Sequence, residues 1–429
     1  MEEVKIGFLG FGNVGTGAYK IIRDNGNDIF LSEGVRLKVA KILVRDINKK
    51  RDVEVEDSIL TDKFEEIVND PEISIVAEFM GGVEPAKDYV MSCLINKKTV
   101  VTANKELIAK HGLELQAVAK ENGVGLYYEA SVAGGIPVIK ILAESLQANK
   151  IGEIMGIING TTNYILTKMS EEGRDFSDVL AEAQRLGYAE PDPTADIEGY
   201  DAMYKISILS SMAFHKKVDV DKIYREGITK ITIEDIEYGR ELGFAIRLLA
   251  IAKKRNNTIE VRVHPTFIPV DHPLAAVRHS FNAVFLKGDA VGNIMLYGRG
   301  AGDLPTGSAI VSDIITACHQ KDKHRYISFY NNEEGSAEKI KFSDDWESEF
   351  FVRLTVKDKP GVLAKIAGCF GKYGVSIASV IQKDKGKDAV PLIFVTHLAG
   401  ELSMRKAISD IAEVEDVLMV ENIIPVESE

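Results

Sequence analysis

The sequence predicts an α/β chain in three parts. A doubly wound parallel sheet comes first, an α+β domain follows, and a βαββαβ sandwich closes the chain. Three observations carry this reading. A glycine turn joins the first apolar strand to a helix in "VKIGFLGFGNVGTGAYKII". Strands then alternate with helical segments, the pattern of a parallel sheet. Beyond the charged stretch "EGSAEKIKFSDDWESE", strand, helix and strand occur twice in succession.

Composition bounds what such a chain does. Its 429 residues, 45% of them hydrophobic, suffice for two or three domains. Asp and Glu number 65 against 52 Lys and Arg, a net charge of -13. That balance argues against nucleic acid or an anionic membrane surface as the main partner. No apolar run reaches membrane-spanning length. The start, "MEEVKIGFLG", enters a strand at once and leaves no room for a signal peptide. Cys93, Cys318 and Cys369 stand far apart, with neither a CxxC nor a metal spacing, and the histidines form no HExxH. A reducing cytoplasm is expected.

In the first strand-turn-helix unit, Gly10, Gly12 and Gly15 form GxGxxG. Such glycines serve a tight turn, close approach of backbone to a pyrophosphate, and helix-on-strand packing. Strand and helix lie on the correct sides, and "VRLKVAKILV", "ISIVAEFMGG", "KTVVTAN" and "GVGLYYEA" continue the alternation. A Rossmann-type dinucleotide domain over 1–130 is therefore expected. At the end of the second strand, "LVRDINKKR" places Arg45 before Asp46, with Lys49, Lys50 and Arg51 following. Cations there accept the extra phosphate of NADP, whereas a carboxylate holds the ribose of NAD. NADP is favoured and NAD stays open. Lys105, in "VVTANKELIAKHG", follows a strand on the side where open α/β sheets bind ligands.

The middle part spans 131–335. "EIMGIINGTTNYILTKM" reads as strand, polar turn and helix, with Asn159, Thr161, Thr162 and Asn163 at the turn. Such a helix start suits a carboxylate or phosphate, or Thr161 or Thr162 merely caps it. Next, Glu190, Asp192, Asp196, Glu198 and Asp201 crowd ahead of Lys205. Asp201 and Lys205 are one helical turn apart, on a face that continues as Ile208, Leu209 and Met212. A buried charge requires a partner, so the pair is either a structural bridge or the lining of a cavity. "TIEVRVHPTFIP", "FNAVFLKG" and "NIMLYG" read as strands, and a helix over about 306–319, with Pro305 near its start, could return to the nucleotide domain. Residues 336–348 read as a linker ahead of the sandwich over 349–429.

Taken together, "GFGNVGTG", "TANKELIA", "EASVAGGIPVI", "NGTTNYILTKM", "LGYAEPDPTADIEGYDAMYK" and "GRGAGDLPTGSA" resemble homoserine dehydrogenases almost end to end. The resemblance implies reduction of aspartate semialdehyde to homoserine with NADPH or NADH, on the route to threonine, methionine and isoleucine. It makes the middle part the catalytic and dimerisation domain. Lys205 becomes the proton donor, Asp201 a substrate ligand that orients it, and Lys105 a second lysine near the nicotinamide. Glu190 then binds the substrate amino group, with Tyr188 and Thr161 also at the substrate. Phe11, Asn13 and Val14 fall in the phosphate turn, and Gly187 and Gly302 approach the cofactor. Glu129 with the carbonyls of Val132, Gly134 and Ile136 resembles the family's monovalent cation site, whose oxygen ligands suit sodium.

The sandwich resembles an ACT regulatory domain, with "DKPGVLAKI" as its ligand loop. Asp358, Gly361 and Ser376 are then the effector residues, and threonine is the natural effector. Many such domains carry asparagine where this chain has Ser376. A pairing module without ligand is the other reading, and a dimer or tetramer is expected. The chain carries no kinase half of the kind fused to some family members, so a stand-alone enzyme is expected. Two rivals remain. A phosphorylating semialdehyde dehydrogenase needs a thiolate near the cofactor, and none of the three cysteines is placed for it. An amino-acid sensor with a vestigial nucleotide half would tolerate loss of Lys105, Glu190, Asp201 and Lys205, yet all four are present.

Overall fold

The computed structural model describes residues 2–51, 53–319, 341–383 and 388–428. The chain divides into two compact units, 1–158 with 201–223 and 281–337, and 159–200 with 224–280 and 338–429. The elements expected of one middle domain are thus shared between the two.

The first unit holds a parallel sheet in the order β3-β2-β1-β4-β5-β6. Its strands are β1 (Glu2–Leu9), β2 (Val35–Leu43), β3 (Leu60–Thr61), β4 (Ile73–Glu78), β5 (Thr99–Thr102) and β6 (Leu126–Tyr127). β4 and β5 are almost continuously buried, as strands covered on both faces are, which is why neither shows a clean alternation of apolar and polar residues. The strand order reverses between β1 and β4, so a ligand crevice opens at their carboxyl ends. Four helices of this unit position its polar groups: α1 (Asn13–Asp24), α2 (Lys105–Glu121), α3 (Tyr200–Phe214) and α4 (Asp303–His319). α4 starts at Asp303, earlier than 306, because Pro305 fits the first turn, where its missing N–H costs nothing. It lies backbone to backbone against α1. A Cβ on Gly17 would stand 2.0 Å from the Asp303 carbonyl oxygen, and one on Gly307 would stand 2.6 Å from the Ala18 nitrogen. Three antiparallel strands, Ile151–Ile157, Phe281–Gly288 and Gly292–Arg299, complete this unit.

The second unit centres on the antiparallel pair Phe244–Arg255 and Thr258–Pro269. The first of these is not evident in the sequence, because the centre of "FAIRLLAIAKK", Ile246–Lys253, is continuously buried and carries no alternation. Strand Thr258–Pro269 pairs at Phe267 with Val426, and from there the sheet continues through Val417–Val426, Glu347–Val356, Val390–Thr396 and Ile377–Ile381. With helices Val362–Lys372 and Glu401–Ala412, these last four strands give the expected βαββαβ sandwich. Its core is Phe350, Val352, Leu354, Ile366, Phe370, Leu392, Phe394 and Ile411. Of the expected linker, 336–340 lie outside the described residues. The remainder is not a free tether: Lys341–Phe342 pair with Thr258–Ile259, and Trp346 is 2% exposed.

Buried charge ties the sandwich to the pair of long strands. Glu427 meets Lys253 at 2.5 Å and also holds Arg262, whose side chain is fully buried. Asp235 closes a capping box with Thr232 at the start of helix Ile233–Glu241 and also binds Arg353 at 2.6 Å. Removing one member of a buried ion network leaves its partners uncompensated. Glu427→Ala is therefore expected to lower unfolding free energy by about 3–5 kcal/mol, read from urea denaturation. A loss below ~1 kcal/mol, the range of exposed pairs, would show that the network contributes no more than a surface bridge.

Candidate active site

Each glycine of the first turn has its own reason. Gly10 adopts φ 97°, which an L side chain rarely tolerates. A Cβ on Gly15 would meet the Gly10 carbonyl oxygen and the Phe79 ring at 3.1 Å. Gly12 precedes α1 with φ -85°, and a Cβ there would meet nothing within 4 Å. Its missing side chain therefore leaves space above the helix N-terminus, where N–H groups face outward, and a dinucleotide pyrophosphate fits that cradle. Asn13 and Val14 open α1, and the Phe11 ring packs edge-on against Tyr19 at 5.7 Å. Arg45 follows β2 and is exposed, as are Asp46, Lys49 and Lys50. Arg51 is otherwise engaged: its guanidinium donates to the carbonyls of Asp46, Ile47 and Lys49 at 2.7, 3.1 and 2.7 Å, so it braces the loop. Gly302, at φ 119° and exposed, immediately precedes α4.

The sharpest feature of this unit is the Asp201 carboxylate. Its side chain is 6% exposed, and it holds two lysines at once. Lys205 Nζ lies 2.6 Å from Oδ2, one turn along α3, and also donates to the Ile158 carbonyl at 2.7 Å. Lys105 Nζ lies 2.9 Å from Oδ1. The Lys105 side chain is 44% exposed and the Lys205 side chain only 11%. Local sequence pairs Asp201 with Lys205 alone; the third member comes from the start of α2, where Asn104 caps the helix by accepting from the Leu107 N–H at 3.1 Å. Sequence reasoning missed Asn104 as a cap, though the "TANKE" pattern carries it. It also missed Glu78, the acid that ends β4. The helix face beyond Lys205 is core as expected, with Ile208, Leu209 and Met212 buried.

The second unit carries the remaining candidates. The cap of helix Gly160–Glu172 is Asn159, which accepts from the Thr162 N–H at 2.9 Å; neither Thr161 nor Thr162 caps it. The Thr161 hydroxyl is 2.7 Å from the Tyr188 carbonyl and 3.0 Å from Asp196 Oδ2. Asp192 accepts from Thr194, and Glu198 lies 3.9 Å from Arg225, so these acids hold their own loop together. Gly187 at φ 79°, Tyr188 and Glu190 are exposed in the segment after helix Phe176–Arg185, and the Tyr188 ring packs on Tyr164 at 4.7 Å. In the sandwich, Gly361 adopts φ 93° at the start of its first helix, Gln382 donates to exposed Asp358 at 3.1 Å, and Ser376 is exposed.

Glu129 is buried, and its two oxygens accept from the N–H groups of Ile139 at 2.9 Å and Lys140 at 2.7 Å. Burial, and then Asp313 nearby, push its carboxyl up to about 8. Ala133 and Gly134 take positive φ in the turn that carries Val132, Gly134 and Ile136. The Ile136 carbonyl is engaged by the Val138 N–H at 2.8 Å. Cys93 is no ready nucleophile: burial pushes its thiol up to about 12, and it lies inside helix Ala86–Ile95.

Comparison with known proteins matches this arrangement to a class of enzymes. A model described as homoserine dehydrogenase, NAD binding domain, matches residues 10–129, and an ACT domain model matches 350–416. The model described as homoserine dehydrogenase matches 137–315. The homoserine dehydrogenase of Bacillus subtilis is 41% identical over 430 residues, covering 100% of this chain and 99% of the relative. That of Pseudomonas aeruginosa is 43% identical over 424 residues, with 97% of each covered. Among solved structures, a homoserine dehydrogenase from Thiobacillus denitrificans superposes with TM-score 0.92 at 41% identity, covering 100% of this chain and 99% of the other. A hyperthermophilic archaeal homoserine dehydrogenase in complex with NADPH gives TM-score 0.63 at 30% identity, covering 74% of this chain and 98% of the other. The fold and its dinucleotide turn define an NAD(P)-binding oxidoreductase with an appended ACT domain. The chain belongs to the homoserine dehydrogenase family.

Proposed function

We propose that the chain reduces L-aspartate 4-semialdehyde to L-homoserine, with NADPH as the preferred donor and NADH as the lesser one, in threonine, methionine and isoleucine biosynthesis. The observation that carries the proposal is the Asp201 carboxylate held between Lys105 and Lys205 in the unit that bears the dinucleotide turn. When bound, the nicotinamide supplies hydride to the aldehyde carbon. Lys205 supplies the proton that the carbonyl oxygen gains. A preorganised cation at that oxygen is worth several kcal/mol in a dry site. Asp201 fixes the Lys205 amine and contacts the substrate, Lys105 adds positive charge near the nicotinamide, and Glu190 meets the substrate amino group, with Tyr188 and Thr161 beside it. Gly10, Phe11, Gly12, Asn13, Val14 and Gly15 hold the pyrophosphate, Arg45 meets the 2′-phosphate, and Gly187 and Gly302 let backbone approach the cofactor.

A monovalent cation, sodium by its hard oxygen ligands, is assigned to Glu129 with the carbonyls of Val132, Gly134 and Ile136. The left-handed turn at Ala133 and Gly134 supports this, and the cation's role there is to hold the loop. Among the described residues no helix is long and apolar enough to cross a membrane. The setting proposed is cytoplasmic, the assembly a dimer or tetramer, and the sandwich a site for an effector such as threonine acting through Asp358, Gly361 and Ser376.

Oxidation of NADPH with L-aspartate 4-semialdehyde tests the reaction. Lys205→Met is expected to lower kcat by about 10²-fold or more, with NADPH binding retained. A folded Lys205→Met enzyme with near-native turnover would transfer the donor role to Lys105. Arg45→Glu should weaken NADPH more than NADH, read as separate KM values; equal losses place Arg45 away from the phosphate. Because Trp346, Arg353 and Glu427 are buried in the second unit, truncation near 345 would unfold more than the sandwich, so the effector test keeps the full chain. Threonine should inhibit the native enzyme and act more weakly on Asp358→Ala. Indifference of the native enzyme to threonine and other amino acids would make the sandwich a pairing device.

A further inference from the structure

The end of β4 carries a carboxylate to which none of the expected roles applies. Glu78 is fully buried. Its Oε1 accepts from the Met80 N–H at 2.6 Å, and its Oε2 accepts from the Thr102 hydroxyl at 2.5 Å. Thr102 Oγ1 in turn accepts from the Asn104 N–H at 2.9 Å, so its single hydrogen is directed at Glu78. Asn104 donates through its side-chain amide to the Gly82 carbonyl at 2.6 Å and caps α2 through its side-chain oxygen. Lys105 is the first residue of that helix. One carboxylate therefore gathers two loops. The Phe79–Gly82 loop packs beneath the dinucleotide turn: the Phe79 N–H donates to the Leu9 carbonyl at 2.8 Å, and the Phe79 backbone stands 3.3 Å from where a Gly10 Cβ would lie. The other loop, Thr102–Asn104, sets where α2 begins.

We propose that Glu78 is a positioning residue for the reduction, acting through Thr102 and Asn104 to place the Lys105 amine at Asp201. Lys105 is a long, half-exposed side chain that reaches a buried acceptor, so the point at which its helix begins decides whether the amine arrives. A helix start held only by local propensity frays. This one is tied in series, Asn104 N–H to the Thr102 hydroxyl and that hydroxyl to Glu78, to an acid that cannot leave the sheet, since the backbone of Glu78 itself pairs within it and its carbonyl accepts from the Ala103 N–H at 3.3 Å. Burial raises the carboxyl's pKa, and the bonds from Thr102 and the Met80 N–H oppose that rise. The cluster is thus sensitive to the loss of any donor. The proposal rests on the reading of Lys105 as an active-site lysine.

The test measures kcat, and KM for NADPH and for L-aspartate 4-semialdehyde, in Thr102→Val, Thr102→Ser and Glu78→Gln, each alone and combined with Lys105→Ala. Thermal unfolding confirms that each variant is folded. Thr102→Val and Glu78→Gln are expected to lower kcat about 10- to 100-fold, the cost of a misplacement of about 1 Å, with KM for NADPH changed less than about threefold. Thr102→Ser, which keeps the hydroxyl, should stay within about twofold of native. In the Lys105→Ala background the second substitution should add less than about twofold, because residues acting through one group are not additive. Equal fold losses with and without Lys105 overturn the proposal, as does a defect in Thr102→Ser matching that in Thr102→Val, a loss confined to KM for NADPH, or unchanged kcat. Should Glu78→Gln fail to fold, the two Thr102 variants decide. Near-native turnover of Lys105→Ala alone sinks the reading of Lys105 and this proposal with it, whereas an impaired Lys105→Ala with additive losses sinks the positioning role only.

Discussion

A single buried carboxylate organises the reactive part of this chain. Asp201 is almost excluded from water, and no buried acid remains charged without compensation. Two ammonium groups supply that compensation, one from its own helix and one from the start of a helix far away in sequence. The reverse dependence is as strong, since the Lys205 amine, largely withdrawn from water, donates to Asp201 and the Ile158 carbonyl. Strand Ile151–Ile157, α2 and α3 must therefore arrive in register for any of the three charges to be tolerated. A bridge of this kind is poor evidence for stability, because desolvation offsets its attraction. Its value lies in fixing two amines on one acceptor.

The same economy of position governs the dinucleotide turn. Gly10 bends the chain, Gly15 lets Phe79 close beneath it, and Gly12 leaves open the space that a phosphate would take. α4 reinforces this from the other side of α1, where Gly17 and Gly307 permit contact between backbones. Side chains at either glycine would push α4 away, and Gly302 with it.

In the second unit, specificity is written in buried charge. Asp235 serves both as a helix cap and as the partner of Arg353, and Glu427 serves both Lys253 and Arg262. Glu427 thereby links the end of the sandwich to the pair of long strands, and Asp235 links helix Ile233–Glu241 to sandwich strand Glu347–Val356. A sandwich held this way is continuous with its unit and differs from a domain hung on a flexible tether, which explains why Trp346 is buried inside a stretch that reads as polar.

Local pattern was enough for the elements that repeat or punctuate. The strand-glycine-helix start, the alternation to "GVGLYYEA", the βαββαβ end and the inward face of Asp201 and Lys205 all follow from periodicity, turn chemistry and the cost of burying charge. The sequence by itself also identified Lys105 as a residue on the ligand side of its sheet. Three matters were decided only in the tertiary structure. Strand Phe244–Arg255 lacks alternation because its centre, Ile246–Lys253, is continuously buried, so no period distinguishes it from a helix. The cation expected of Arg51 is consumed by three carbonyls of its own loop, a contact that depends on how that loop folds back. The third member of the Asp201 cluster, and Glu78 behind it, depend on where helix α2 begins in space. Hydrogen bonds and ion pairs between segments tens of residues apart leave no periodic trace in either segment, because each residue pattern records its own burial and not the identity of the group it meets.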